Sequence, residues 1–297
     1  MKEEEIIERL AEIFSTARSD VRLGIGDDAA IVTTGLQTAF TTDMAVEGVH
    51  FKSEWSTPEE IGGRAAVENL ADIYAMGAEP TFLVVSVALT GREEMAWIKG
   101  LAHGIQRECE QAGASVVGGD IVRGDRVTIS IAALGAVENP IRKDSARIGD
   151  SVYISGLPGF SRAGFEQLQR GFDYNHRAIA QFKKPTFDYE LARIYRRASS
   201  MRDISDSFLT QAQSMTSTYA FEIDASLFEK HPDFHELEAL AREMGFDVWE
   251  WILGGGEDHL LLATGVDLPG LRIGRVVEGA GVKGLDKKKA PETWRHF

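Results

Sequence analysis

The sequence predicts a two-domain α/β (α+β) protein, and three observations lead there. Its 297 residues exceed the roughly 100–200 of a typical single domain. Amphipathic helical stretches alternate with short apolar runs in both halves, the pattern of mixed α/β architecture. Between residues 138 and 150 the chain breaks into Asn139-Pro140, Arg142-Lys143-Asp144 and Gly149-Asp150, the turn-forming composition of a boundary. The expected domains are 1–140 and 141–297.

The elements follow in order. A first helix is predicted over 3–16, with Ile6, Leu10 and Ile13 on one face. Short strands follow at 29–32 and 39–43. A second helix is announced by Thr57 as N-cap, Pro58 at the first position, Glu59 and Glu60 in the first turn, and Gly77 past its end. Residues 82–89 read as a buried strand and 93–112 as a helix with Met95, Ile98, Leu101 and Ile105 as its stripe. Strands at 115–118 and 127–137 complete the first half. The second half restarts with a strand at 151–155 and a glycine loop at 156–159. Helices are predicted at 162–170, 189–198, 205–215 and 235–244, and strands at 220–224, 259–263 and 273–277.

Composition narrows the function. Hydrophobic residues are 43% and charged residues 26% of the chain, an ordinary globular balance. The longest apolar run, 82–89, is far short of the roughly 20 residues that span a bilayer. The opening MKEEEIIERL has neither the basic flank nor the apolar centre of a signal peptide. With a single cysteine, Cys109, no internal disulfide forms, and a reducing cytoplasm is expected. A net charge of −14 disfavours nucleic-acid backbones as partners. It would also repel small phosphates, unless cations intervene.

Acidic residues recur beside glycine or threonine in Gly26-Asp27-Asp28, Thr41-Thr42-Asp43, Asn69-Leu70-Ala71-Asp72, Gly118-Gly119-Asp120 and Asp203-Ile204-Ser205-Asp206. All are read as lying at strand edges, glycine turns or helix ends. By 3–4 spacing Ala65, Asn69, Asp72 and Met76 share one side of the second helix, which turns Asp72 inward. Asp72 also falls in the last turn, where the helix dipole disfavours a negative charge by about 0.3–1 kcal/mol. A nearby cation reverses that sign. Oxygen-only donors without a Cys/His cluster point to a hard ion, magnesium before zinc. Taken singly, each aspartate also reads as a turn former, and Asp203 or Asp206 as the cap of the following helix. Neither a P-loop nor the protein-kinase signature is present.

These blocks resemble, in order, those of the thiamine-monophosphate kinase family. Gly24-Ile25-Gly26-Asp27-Asp28-Ala29, Thr41-Thr42-Asp43 with Gly48-Val49-His50-Phe51, and Asn69-Leu70-Ala71-Asp72 with Ala75-Met76-Gly77-Ala78 carry the first half. Gly118-Gly119-Asp120, Asp203-Ile204-Ser205-Asp206, Gly255-Gly256-Glu257-Asp258 and the closing Trp294-Arg295-His296-Phe297 carry the rest. The resemblance implies the aminoimidazole-ribonucleotide synthetase-like fold, with N-terminal domains pairing in a homodimer through a shared β-barrel. It implies transfer of the γ-phosphoryl of ATP to thiamine monophosphate, aided by several magnesium ions. Asp28, Thr42, Asp43, Asp72, Asp120, Asp203 and Asp206 match the family's magnesium ligands, and Thr41 a further one. Gly119, Asp120 and Ser205 match its ATP contacts. The arginine expected before the second domain aligns with Lys143, next to Arg142. His50, Glu257 and Trp294 match its contacts to thiamine monophosphate, and an indole suits a thiazolium cation. Read alone, His50 is a half-buried strand histidine, Trp294 a packing residue and Glu257 a surface charge.

Departures from the family pattern are Ser207-Phe208 in place of glycine and leucine, Ile121 in place of a threonine, and a proline- and arginine-rich segment reduced to Lys184-Pro185. Ser207 is expected to narrow a loop where backbone meets phosphate. A superfamily relative acting on another acceptor, and a nucleotide-binding homologue without catalysis, stay open on the residues alone.

Overall fold

The computed structural model describes residues 3–23, 25, 31–34 and 37–285. They divide into two compact units, one within residues 1–74 and 78–139, the other within 75–77 and 140–297.

The first unit is built from α1 (Glu3–Ile13), β1 (Val21–Leu23), β2 (Ile31–Val32), β3 (Thr38–Val46), α2 (Pro58–Ala75), β4 (Glu79–Leu89), α3 (Met95–Ala112), β5 (Ser115–Arg123) and β6 (Thr128–Ala136). Helix α1 lays Ile6 against Leu89 and Ile98. It stops before the predicted residue 16 because the Thr16 hydroxyl accepts from the Arg18 N–H instead, a local bond that competes with helix. Helix α2 opens on a reciprocal capping box. The Glu60 N–H donates to Thr57 Oγ1 at 3.2 Å and the Thr57 N–H to Glu60 Oε2 at 2.8 Å. It ends where Gly77 turns left-handed and the Ala78 N–H closes back on the Ile73 carbonyl.

Four strands form one sheet in the order β3-β6-β4-β5. Strands β4 and β5 run parallel and are joined by α3; the other neighbours are antiparallel. Helix α3 packs onto α2 so closely that a Cβ on Gly62 would lie 2.1 Å from the Leu101 carbonyl oxygen; no side chain fits there. One face of the sheet buries Leu83, Val85, Ile129, Ile131 and Ala133. The other leaves Phe40 67% and Met44 55% exposed, with Val84 and Val122 also exposed. Residues 115–118, predicted as a short strand before a glycine turn, instead open the nine-residue β5. Gly118, Gly119 and Asp120 are interior strand positions.

The second unit runs β7 (Ser151–Ile154), α4 (Phe160–Arg170), α5 (His176–Lys183), α6 (Tyr189–Tyr195), β8 (Ser200–Ile204), α7 (Phe208–Met215), β9 (Ala220–Ile223), α8 (Ala225–Phe228), α9 (Phe234–Met244), α10 (Val248–Gly254), β10 (Leu260–Gly265), β11 (Leu271–Val277) and β12 (Gly281–Lys283). Its sheet has the order β12-β9-β11-β7-β10-β8. Phe208, Phe221, Phe228, Trp251 and Ile252 are central to the core packed on it. Strands β8 and β12 and helices α5, α8 and α10 go unpredicted. The β8 sequence, Ser-Met-Arg-Asp-Ile, lacks alternation and becomes a strand through five registered pairs with β10. Helix α7 begins at Phe208 rather than 205 because Ser207 is its N-cap, accepting from the Thr210 N–H. Neither Asp203 nor Asp206 fills that cap. The hydroxyl that departs from the family's glycine is buried in the helix start, so Ser207 closes a cap rather than narrowing a loop.

Replacing Thr57 by Ala removes half of the capping box. The expected loss is about 1 kcal/mol of stability, read by urea unfolding of the purified chain.

Candidate active site

Strand β3 and helix α2 bring the first group of predicted residues together. Thr41 and Asp43 alternate with Thr42, so the first two share a face. Thr41 Oγ1 donates to Asp72 Oδ2 at 2.7 Å. The Asp43 N–H donates to Asn69 Oδ1 at 3.1 Å, and Asn69 Nδ2 donates to the Ala65 carbonyl one turn back. Asn69, almost fully buried, thus ties the helix to the strand beside both carboxylates. Asp72 is half-buried, as its position on the helix predicts, whereas Met76 is exposed. Thr42 lies on the opposite face and donates to the Ile131 carbonyl at 2.9 Å. Past the strand, His50 sits in a turn rather than in a strand, its Nδ1 accepting the Val46 N–H at 3.0 Å. In the neutral ring that bond places the proton on Nε2.

Asp120 stands elsewhere. Strands β3 and β5 are the two edges of the sheet, and three strand spacings separate them by roughly 14 Å. Registered partners place Asp120 beside Ser86, and Ser86 beside Ser130, which pairs with Met44. Asp120 therefore shares the exposed face, not the face of Asp43 and Asp72. Just before it, the register shifts between Leu83 and Val84, and Val116 and Val117 are both buried. That is a bulge, which re-aims the residues that follow. A Cβ at Gly119 would sit 2.0 Å from the Val85 carbonyl oxygen. Glycine is required there by the neighbouring strand.

In the second unit the end of β8 presents Asp203, buried, then Ser205 and Asp206, half-buried. Gln211 Nε2 reaches both Ser205 Oγ at 3.4 Å and Asp206 Oδ2 at 3.3 Å. The turn before β10 is laced onto this end. The Glu257 N–H donates to the Ser205 carbonyl at 2.6 Å and the His259 N–H to the Ile204 carbonyl at 2.9 Å. Glu257 and His259 both hold positive φ, 67° and 50°, a conformation that is costly for residues other than glycine. Between them Asp258 turns the other way. Its carboxylate accepts from the Gly159 N–H at 2.7 Å and the Ser161 N–H at 3.0 Å, capping α4 from a distant part of the chain. Glu257, read alone as a surface charge, is buried. Lys143 is exposed, while the neighbouring Arg142 fork closes on Asp144 at 2.8–2.9 Å.

Asp28 and Trp294 lie outside the described residues. Asn69, Asp258 and His259 are additions to the predicted set. Asn69 and Asp258 were inside the quoted blocks; their roles depend on partners 26 and 97–99 positions away.

The oxygen donors of Thr41, Asp43 and Asp72, carried on β3 and α2, suit a hard divalent ion. The Thr41 hydroxyl orients the Asp72 carboxylate, and Asn69 fixes the backbone that carries Asp43.

Comparison with known proteins follows the same lines. Residues 26–137 match the family model "AIR synthase related protein, N-terminal domain". The chain is 34% identical to the thiamine-monophosphate kinase of Corynebacterium glutamicum, across 92% of this chain and 88% of that one. The crystal structure of thiamine-monophosphate kinase from Stenotrophomonas maltophilia K279a superposes with a TM-score of 0.82 at 29% identity, covering 95% and 96% of the two chains. AaThiL complexed with AMPPCP and TMP superposes with a TM-score of 0.81 at 32% identity, covering 100% of this chain and 99% of that one.

Burial pushes the Asp258 carboxyl up to about 6 from its ordinary 3.8, although the Ser161 and Gly159 amides pull it down. Between those values the folded chain binds the proton more tightly than the unfolded chain, so this group's contribution to stability falls as pH rises. Asp258→Asn removes that slope. From about pH 4 to about pH 7 the wild type loses roughly 3 kcal/mol relative to the variant, measured by urea unfolding at each pH.

Proposed function

Because the chain belongs to the thiamine-monophosphate kinase family, we propose that it transfers the γ-phosphoryl group of ATP directly to thiamine monophosphate, giving thiamine diphosphate and ADP. The observation that carries this reading is the joining of Thr41, Asp43 and Asp72 by β3 and α2. The acceptor is itself a phosphate, largely dianionic near neutral pH, so its oxygen is nucleophilic without a general base. What opposes reaction is repulsion between two polyanions.

Magnesium ions, when bound, neutralise this charge and favour in-line displacement. Asp28, Thr41, Thr42, Asp43, Asp72 and Asp120, with Asp203 and Asp206, are the residues proposed to hold them. Thr41 orients Asp72, and Asn69 fixes the strand that carries Asp43. Gly119, Asp120 and Ser205 contact the nucleotide. Lys143 adds a positive charge near its phosphates, a role open to it because Arg142 is engaged by Asp144. His50 donates from Nε2 to the acceptor phosphate, and Glu257 with Trp294 holds the thiamine moiety. The departures from the family pattern disturb little of this. Ser207 caps α7, and Ile121 packs against the cluster of Ile6, Leu89 and Ile98.

The exposed Phe40, Met44, Val84 and Val122 favour a homodimer that buries this sheet face, since a soluble monomer rarely leaves such a patch open. The outer edges of β3 and β5 would then close on the partner's sheet as a barrel. Asp120, roughly 14 Å from β3 in its own chain, is proposed to serve the partner subunit's site. No described helix is long and apolar enough to cross a membrane. ATP as co-substrate and a buried thiol, Cys109, whose pKa burial raises well above its ordinary value, suit a reducing cytoplasm.

A product assay with ATP and magnesium is expected to form product from thiamine monophosphate and none from thiamine. Asp43→Asn and Asp72→Asn each lower turnover by orders of magnitude, with melting temperature and circular dichroism retained. Full activity in both variants refutes the site. Mixing Asp43→Asn with Asp120→Asn protein, each inactive alone, restores about a quarter of wild-type activity if one intact site forms in each mixed dimer. No recovery after confirmed subunit exchange places Asp120 in its own chain's site.

A further inference from the structure

Three buried side chains meet where the turn before β10 crosses the end of β8. His259 Nδ1 lies 3.7 Å from Asp203 Oδ2, and His259 Nε2 lies 3.9 Å from Glu257 Oε2. Only 5% of His259 is exposed, and Asp203 and Glu257 are buried as well. The imidazole thus lies between two carboxylates, with a nitrogen toward each. Two such carboxylates in a low-dielectric setting repel strongly unless something polar separates them.

The backbone is arranged to hold the ring there. Glu257 and His259 take left-handed φ on either side of Asp258. Their N–H groups are bonded to Ser205 and Ile204, while the Asp258 carboxylate grips Gly159 and Ser161. Strain of this kind persists only where the surroundings over-determine it, and it concentrates at functional sites. Histidine is among the residues enriched at such φ values, and it alone among them carries a ring with nitrogens on two sides.

One side of the ring borders a cavity of about 270 Å³, whose other walls include Leu157, Phe160, Phe187 and Leu260.

Resting on the proposed kinase reading, we infer that His259 is a positioning residue that couples Asp203, a magnesium-holding carboxylate, to Glu257, which holds the thiamine moiety. The ring sets the separation and orientation of both carboxylates. Loss of its nitrogens therefore disturbs the cation and the acceptor together.

The test compares His259→Phe, which keeps ring volume without nitrogens, with His259→Asn, which keeps a polar group and tolerates the left-handed backbone. Each full-length protein is titrated with magnesium chloride and with thiamine monophosphate by calorimetry, and assayed for KM and kcat, with melting temperature recorded. In His259→Phe the magnesium dissociation constant and the KM for thiamine monophosphate are each expected to rise about tenfold. In His259→Asn part of the loss is recovered, and both variants melt within a few degrees of wild type. Wild-type values for both ligands in His259→Phe overturn the inference. So does an equal loss in both variants accompanied by a lowered melting temperature, which marks a packing role. Should His259→Phe not fold, His259→Asn and His259→Gln decide by the same two titrations, unchanged values in both refuting the coupling. If the wild type forms no product from thiamine monophosphate, the kinase reading fails separately, and the magnesium titration still judges the link between His259 and Asp203.

Discussion

Carboxylates that must keep their charge yet stay in place are the constraint on which this structure depends. A lysine or arginine at each would fix the group but cancel its attraction for a metal ion. Neutral groups are among the contacts seen here. A threonine hydroxyl holds Asp72, an asparagine amide oxygen holds the backbone at Asp43, and two backbone amides at the start of α4 hold Asp258. A neutral donor orients a carboxylate without adding an opposite charge, and at Asp258 the two amides offset part of the burial that pushes its pKa up. A chain of net charge −14 can thereby hold acids at fixed places in its fold.

The two units meet this constraint by different local means. In the first, a regular strand and a well-capped helix carry the acids, and their side-chain directions follow from period and register. In the second, a short strand end and a strained turn do so, secured by backbone bonds and by a carboxylate that reaches across about a hundred positions of chain. Rigid secondary structure in the first unit and an over-determined turn in the second both limit how far an acid moves.

Strong local signals survived into the structure almost unchanged. The capping box at Thr57 and Glu60, the glycine after α2, and the strand around 82–89 were legible because each rests on neighbours a few residues apart. Strand β8 was not legible, since its five residues owe their conformation to β10. Helix α10, apolar on most sides and only seven residues long, has too little periodicity to separate it from a buried strand. Gly118-Gly119 suggested a turn, but Gly119 lies in a strand because a neighbouring carbonyl leaves no room for a Cβ.

The amino-acid order by itself determined the two-part α/β class, the acidic blocks and the family they resemble, because residue type and sequence interval carry that information. Only the tertiary structure decided that Thr41, Asp43 and Asp72 come together while Asp120 stands on the far edge of the same sheet. Strand order and register determine which face and edge a residue occupies, and neither is written in local sequence. The tertiary structure also made Asp258, to which the sequence reading gave no role, the cap of α4. That role exists only where a helix N-terminus from elsewhere in the chain arrives with two amides to fill.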